Sequence, residues 1–125
     1  MKILIVDDSE LIRQRLASML QEIKEMEIVG MAGNAEETYP YFNGSHPDVI
    51  ILDIHLPGEN GIRILEKVKK KNKMVKVIIL TNFPYPQYRR KCIELGADYF
   101  VDKSEEFELI EEILKEINSR RESDG

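Results

Sequence analysis

Lys2-Ile3-Leu4-Ile5-Val6-Asp7-Asp8-Ser9 places four apolar residues in a row, then two aspartates, then a helix-capping serine. A short run rich in β-branched residues reads as a strand. Its lack of alternation suits a strand covered on both faces, which means a parallel sheet under helices. Ser9 can cap a helix whose apolar residues Ile12, Leu16, Met19, Leu20 and Ile23 share one face. The stretch is therefore one β-α unit, with two carboxylates at the carboxyl end of its strand.

Working outward, the unit recurs. Residues 49–52, 77–80 and 99–101 read as further strands, and 27–31 as the weakest, because Gly30 interrupts it. Asn60-Gly61 opens a helix carrying Ile62, Leu65 and Val68, and Lys69, Lys70 and Lys71 suit the negative end of its dipole. Pro86 opens another, with Gly96 as its stop. Ser104 is expected to cap the last helix, with Glu105 and Glu106 in its first turn and Phe107, Ile110, Leu114 and Ile117 as its buried stripe. Asn34 and Glu37 have capping-box spacing, but Pro40 predicts that this helix is short or kinked before Asn43-Gly44 ends it. The order is β-α five times, an α/β class. Right-handed crossovers make it a doubly wound (βα)5 three-layer sandwich. One domain is expected over 1–119, with 120–125 a fraying polar tail or the start of a linker.

Composition narrows the function. A chain of 125 residues is about one domain and buries enough surface to fold without a disulfide or metal. A net charge of −5 argues against nucleic acid as a direct partner, because phosphate neutralisation needs a basic face. A single cysteine, Cys92, excludes a disulfide framework and a cysteine-built zinc site, and it reads as helix packing. Two histidines, His46 and His55, are too few for a histidine-rich metal site; His46 before Pro47 reads as a loop residue. No apolar run can span a bilayer and the first residues are not a signal peptide, so a cytoplasmic protein with no membrane partner is expected.

The polar residues converge. Asp7 and Asp8 follow the first strand, Asp53 ends the third, Thr81 ends the fourth and Lys103 follows the fifth. All lie at strand carboxyl ends, where open α/β sheets bind ligands. Three clustered carboxylates repel, so one takes a proton or a cation joins them. Oxygen donors suit a hard divalent ion, and Mg²⁺ is the expected one. A metal, an ammonium and a hydroxyl facing a carboxylate can meet the oxygens of a transferred phosphoryl group, with Asp53 as the nucleophile.

These residues, with Leu56-Pro57-Gly58 after Asp53, resemble the receiver domain of bacterial two-component response regulators, the CheY-like superfamily. The resemblance covers residues 2–117. The stretches around Leu80-Thr81-Asn82 and Phe100-Val101-Asp102-Lys103-Ser104 are most similar to the NarL/FixJ-type branch, often attached to helix-turn-helix output domains. It implies a flavodoxin-like parallel sheet in strand order 2-1-3-4-5. It implies Asp53 as phosphoacceptor, and Asp8, Asp53 and the backbone carbonyl of His55 as Mg²⁺ ligands, with Asp7 helping through water. It implies Lys103 paired with the phosphoryl group, Thr81 moving to hydrogen-bond it, and Phe100 as the switch aromatic that turns with Thr81. The implied partners are a histidine kinase or histidine phosphotransfer protein and a downstream protein, with a homodimer possible on phosphorylation. The protein is expected to be a switch and not an enzyme, acting only on its own Asp53.

Three positions depart from the family's pattern. Ser104 follows Lys103 where many receivers have proline and a cis peptide, which implies a looser loop or an earlier last helix. Phe100 stands where tyrosine is common, and Asn82 where a small residue is usual. His55 and Phe83 take positions that flank the path of the hydrolytic water in the family, which predicts a longer-lived phosphorylated form.

The nearest alternative is the isolated receiver of a helix-turn-helix transcription regulator. A phosphatase with an aspartyl-phosphate intermediate commonly has a second aspartate two residues after the nucleophile, where this chain has His55. A flavin module fits less well, because Asp7-Asp8 would repel its phosphate. Charge is uneven: residues 62–76 carry seven lysines or arginines against one glutamate, and 104–116 six glutamates against one lysine. Solvated helix faces explain this, and steering of a partner is the sharper reading.

Overall fold

A computed structural model describes residues 1–124. Five strands alternate with five helices: β1 (Lys2–Val6), α1 (Glu10–Gln21), β2 (Glu27–Ala32), α2 (Ala35–Ser45), β3 (Val49–Leu52), α3 (Gly61–Lys71), β4 (Lys76–Thr81), α4 (Pro86–Glu94), β5 (Tyr99–Asp102) and α5 (Leu109–Asp124). All neighbouring strands are parallel, in the order β2-β1-β3-β4-β5. The expected doubly wound three-layer sandwich is the observed fold.

The uninterrupted apolar strands are explained by what covers them. Leu4, Val6, Ile50, Leu52, Val77 and Ile79 face α2, α3 and α4, where Phe42, Ile64, Leu65, Val68 and Cys92 meet them. Ile3, Ile5, Val49, Ile51, Ile78 and Leu80 face α1 and α5, where Leu16, Leu20, Ile110, Leu114 and Ile117 meet them. Each strand thus alternates between two hydrophobic layers rather than between core and water. Burial pushes the Cys92 thiol up to about 11, in keeping with a packing role.

The doubtful segments have specific solutions. At Gly30 the β1–β2 register shifts, and an added Cβ would lie 2.5 Å from the Tyr41 ring, so the glycine makes room for α2. Helix α2 runs through Pro40 for 11 residues and ends one residue past Gly44, where the expectation was a short or kinked helix. Asn34 accepts from Glu37 N, Glu37 folds back to accept from Gly33 N, and His46 closes the helix in the left-handed region. Those caps offset the hydrogen bond that proline removes.

The start of the last helix needs correction. Ser104 does not cap it, and it begins at Leu109 rather than sooner. Asp102 Oδ1 accepts from Ser104 N, the Glu106 carboxylate accepts from Asp102 N, and Glu106 N donates back to Asp102 O. Residues 102–106 thereby close into a turn of their own, and i→i+3 bonds from Leu109 and Ile110 lead into α5. The buried stripe Phe107, Ile110, Leu114 and Ile117 is as expected. The helix continues to Asp124, through most of the stretch expected to fray; Gly125 lies outside the described residues.

Candidate functional site

Parallel strands end together, and their last backbone bonds carry the ladder one residue further. Asp7 N donates to Ala32 O, Asp53 N to Val6 O and Lys103 N to Thr81 O, at 2.8–2.9 Å. Residues far apart in sequence are therefore held at one edge of the sheet. There one carboxylate oxygen from each of Asp7, Asp8 and Asp53 lies within 4.8 Å of the others. Asp7 and Asp53 are buried and Asp8 is exposed, so the cluster opens to solvent on the Asp8 side.

Lys103 is the buried counter-charge. Its Nζ stands 2.7 Å from Asp7 Oδ2 and 3.2 Å from Asp53 Oδ2. Burial works to lower the lysine's proton affinity, but the two carboxylates override it and hold the ammonium above the ordinary lysine range. Burial pushes Asp53 up; Lys103 pulls it down and Asp7 pushes it up again. One ammonium against three carboxylates leaves the site short of positive charge.

Asp7 Oδ2 is buried, and its one charged neighbour is the Lys103 ammonium at 2.7 Å. Three carboxylates within reach of one another, all hard oxygen donors and matched by a single ammonium, together fit a divalent cation of the Mg²⁺ type.

The remaining expected residues surround this centre. Thr81 is fully buried, and its hydroxyl accepts from Phe83 N at 3.0 Å. His55 and Phe83 meet edge to face with ring centroids 4.2 Å apart, and Tyr88 stands 5.7 Å from His55. Phe100 is buried, with the Arg89 guanidinium 4.9 Å from its ring centroid. A cleft of about 390 Å³ runs between Asp8, Asp53, His55, Asn82, Phe83 and Lys103. Ser104 Oγ and Asn82 Oδ1, 3.3 Å apart, bridge two of the loops beside it.

Two features escaped the sequence reading. Arg13 reaches from α1 to the backbone carbonyl of Asp7, 2.7 Å away. A cation in the first turns of a helix opposes the dipole, and that was the available signal. Glu59, in the loop after Asp53, is held by Tyr39 of α2 and Lys67 of α3, which no local pattern announces.

Comparison with known proteins agrees with this geometry. The family model for the response regulator receiver domain matches residues 3–115. The chain belongs to the response regulator receiver domain family. It is 32% identical over 121 residues to the uncharacterized transcriptional regulatory protein YvfU of Bacillus subtilis, covering 96% of this chain and 60% of that protein. It superposes with a TM-score of 0.86 on a CheY-like receiver domain protein from Methanospirillum hungatei, at 28% identity, covering 99% of this chain and 98% of the other. A DNA-binding response regulator of the LuxR family from Staphylococcus aureus gives 0.81 at 32% identity, covering 94% and 98%.

This receiver spans about 60% or less of the length of the curated relatives it matches. Receivers are signalling switches of two-component systems that interact with histidine kinases and downstream effectors, and they generally bind Mg²⁺ at an acidic site. No helix among the described residues is long and apolar enough to cross a membrane.

Proposed function

We propose that this receiver takes a phosphoryl group onto Asp53 from a phosphohistidine of a histidine kinase or histidine phosphotransfer protein. The supporting observation is the convergence of a buried Asp53 with Asp7, Asp8 and Lys103 at one sheet edge. An Asp53 oxygen attacks phosphorus; the O–P bond forms and the P–N bond breaks. The imidazole leaves with the electron pair. Lys103, already 3.2 Å from Asp53 Oδ2, pairs with a phosphoryl oxygen. The Thr81 hydroxyl accepts from Phe83 N and keeps its own proton to donate to another. Asp7, Asp8, Asp53 and the backbone carbonyl of His55 would hold Mg²⁺, which when bound supplies charge neutralisation for the phosphoryl oxygens. The chain's chemistry is confined to its own Asp53.

Phosphorylation then biases a two-state equilibrium through Thr81 and Phe100, changing the affinity of the α4–β5–α5 side for a downstream protein or a second copy. Cytoplasmic placement follows from that role. A second reading, that the chain is the receiver part of a helix-turn-helix transcription regulator, is favoured by transcriptional regulators among its relatives and by the share of their length it spans. The length of the natural gene product tests this.

Intact mass after acetyl phosphate treatment, with and without Mg²⁺, tests the first reading. A Mg²⁺-dependent gain of one phosphoryl group, lost in Asp53→Asn, is expected. No gain from acetyl phosphate and no spectral response to beryllofluoride would overturn it.

A further inference from the structure

Arg13 sits in the opening turns of α1, where the helix dipole opposes a cation. Its reward is a charge-assisted hydrogen bond from Nη1 to the carbonyl of Asp7 at 2.7 Å. That carbonyl belongs to the peptide joining Asp7 to Asp8. The peptides on either side of it are held as well: Asp7 N donates to Ala32 O, and Ser9 N donates to Asp7 Oδ1. Asp8, by contrast, is exposed, and among the described residues its carboxylate has no hydrogen bond or ion pair. With no side-chain contact of its own, that carboxylate depends on the backbone from which it hangs for the place its rotamers start from.

The guanidinium also needs space from a second segment. A Cβ at Gly33 would lie 3.2 Å from Arg13 Nη1, closer than ordinary packing. Gly33 therefore lets the arginine lie between the end of β1 and the β2–α2 loop.

We infer that Arg13 is a positioning residue for the divalent-cation site, fixing the Asp7–Asp8 peptide so that Asp8 is aimed toward Asp7 and Asp53. This rests on the reading of those carboxylates as a Mg²⁺ site. Two effects of Arg13 oppose each other. Its charge repels a cation, but it is only half-buried and solvent screens it. Orientation of ligands by an outer partner is worth about tenfold or more in metal affinity, so orientation wins.

Amide-resolved NMR titration of the chain with MgCl₂ tests this. Arg13→Ala is expected to bind Mg²⁺ about tenfold more weakly than the wild type, and Arg13→Lys, which keeps a cationic donor, to fall between them. Gly33→Ala, which alters no charge but displaces the guanidinium, is expected to weaken binding too. An Arg13→Ala variant that keeps a native amide spectrum and binds as tightly as the wild type, or more tightly, overturns the inference. If Arg13→Ala does not fold, undiminished binding by Gly33→Ala overturns it. A wild type that gives no response to MgCl₂ overturns the cation-site reading itself, a result distinct from equal binding by all variants.

Discussion

Charged groups cluster at both ends of this sheet, buried at one and half-buried at the other, and the two ends are balanced differently. At the carboxyl end, three carboxylates cluster around one buried ammonium, which pairs with Asp7 and Asp53 and leaves Asp8 without an ion pair among the described residues. At the amino end, Asp98 lies between two cations: Lys69 Nζ is 2.9 Å from Oδ2, Val77 N donates to the same oxygen at 2.8 Å, and Lys76 is 3.8 Å from Oδ1. Lys69 also donates to Val75 O at 2.6 Å. A depression of about 600 Å³, larger than the cleft beside Asp53, lies at this end, yet its charged lining is already paired: Asp98 as above, Arg121 with Asp48, and Arg120 with Glu116. Cleft size therefore points to the wrong end. Unbalanced buried charge points to the end where the chemistry is proposed, because an uncompensated cluster is costly until something completes it.

The largest effect expected from this contrast is that of Lys103→Met, which leaves Asp7 and Asp53 buried without a counter-charge. Its unfolding free energy in the absence of divalent ions should fall by about 3 kcal/mol. MgCl₂ should then restore more stability to the variant than it adds to the wild type; equal increments in chemical denaturation would break the comparison. Next comes Asp98→Asn, which strands Lys69 and should cost about 2 kcal/mol, with the Mg²⁺ response unchanged.

The same substitution at the other end should have the opposite sign. Asp53→Asn removes a buried carboxylate whose proton affinity folding raises, and should stabilise the protein by about 1 kcal/mol at neutral pH. Because the folded state holds that proton more tightly than the unfolded chain, the wild-type deficit is full above the raised folded value. It should vanish as pH falls through that value toward about 3.9, so melts of both proteins across the acidic range should converge. A gap that widens on acidification would contradict the assignment. The smallest effect concerns the rim. The His55–Phe83 contact narrows the approach to Asp53, and His55→Asn should shorten the phosphorylated lifetime a few-fold, read as loss of phosphoprotein mass with time. An unchanged or longer lifetime would remove the rings from that role.

Nearly all of the carboxyl end was legible in the sequence. A parallel sheet converts position after a strand into position in space, so Asp7, Asp53, Thr81 and Lys103 could be placed together from strand ends alone. The amino end was not. The run Lys69-Lys70-Lys71 reads as complement to a helix dipole, but Lys69 alone turns under β4 to Asp98, 29 residues away. That choice is made by packing between α3 and the segment after Gly96, which no local pattern encodes. The start of α5 was misplaced for a related reason. Ser104 and Glu106 carry ordinary helix-opening chemistry, and Asp102 diverted both into a turn. Arg13 went unread because its partner is a backbone carbonyl; its place against the dipole of α1 marked the residue but not what it holds.

Gly61 has a consequence beyond the fold. A Cβ there would lie 1.9 Å from the carbonyl oxygen of Asp53, and Gly61 N donates to Ile54 O at 2.7 Å. The first residue of α3 is thus pressed against the backbone of the proposed acceptor itself. In a saturation library screened only for soluble expression, position 61 should return glycine as stubbornly as a catalytic position would under selection for signalling. Intolerance at that site would record a lack of room rather than a lost reaction.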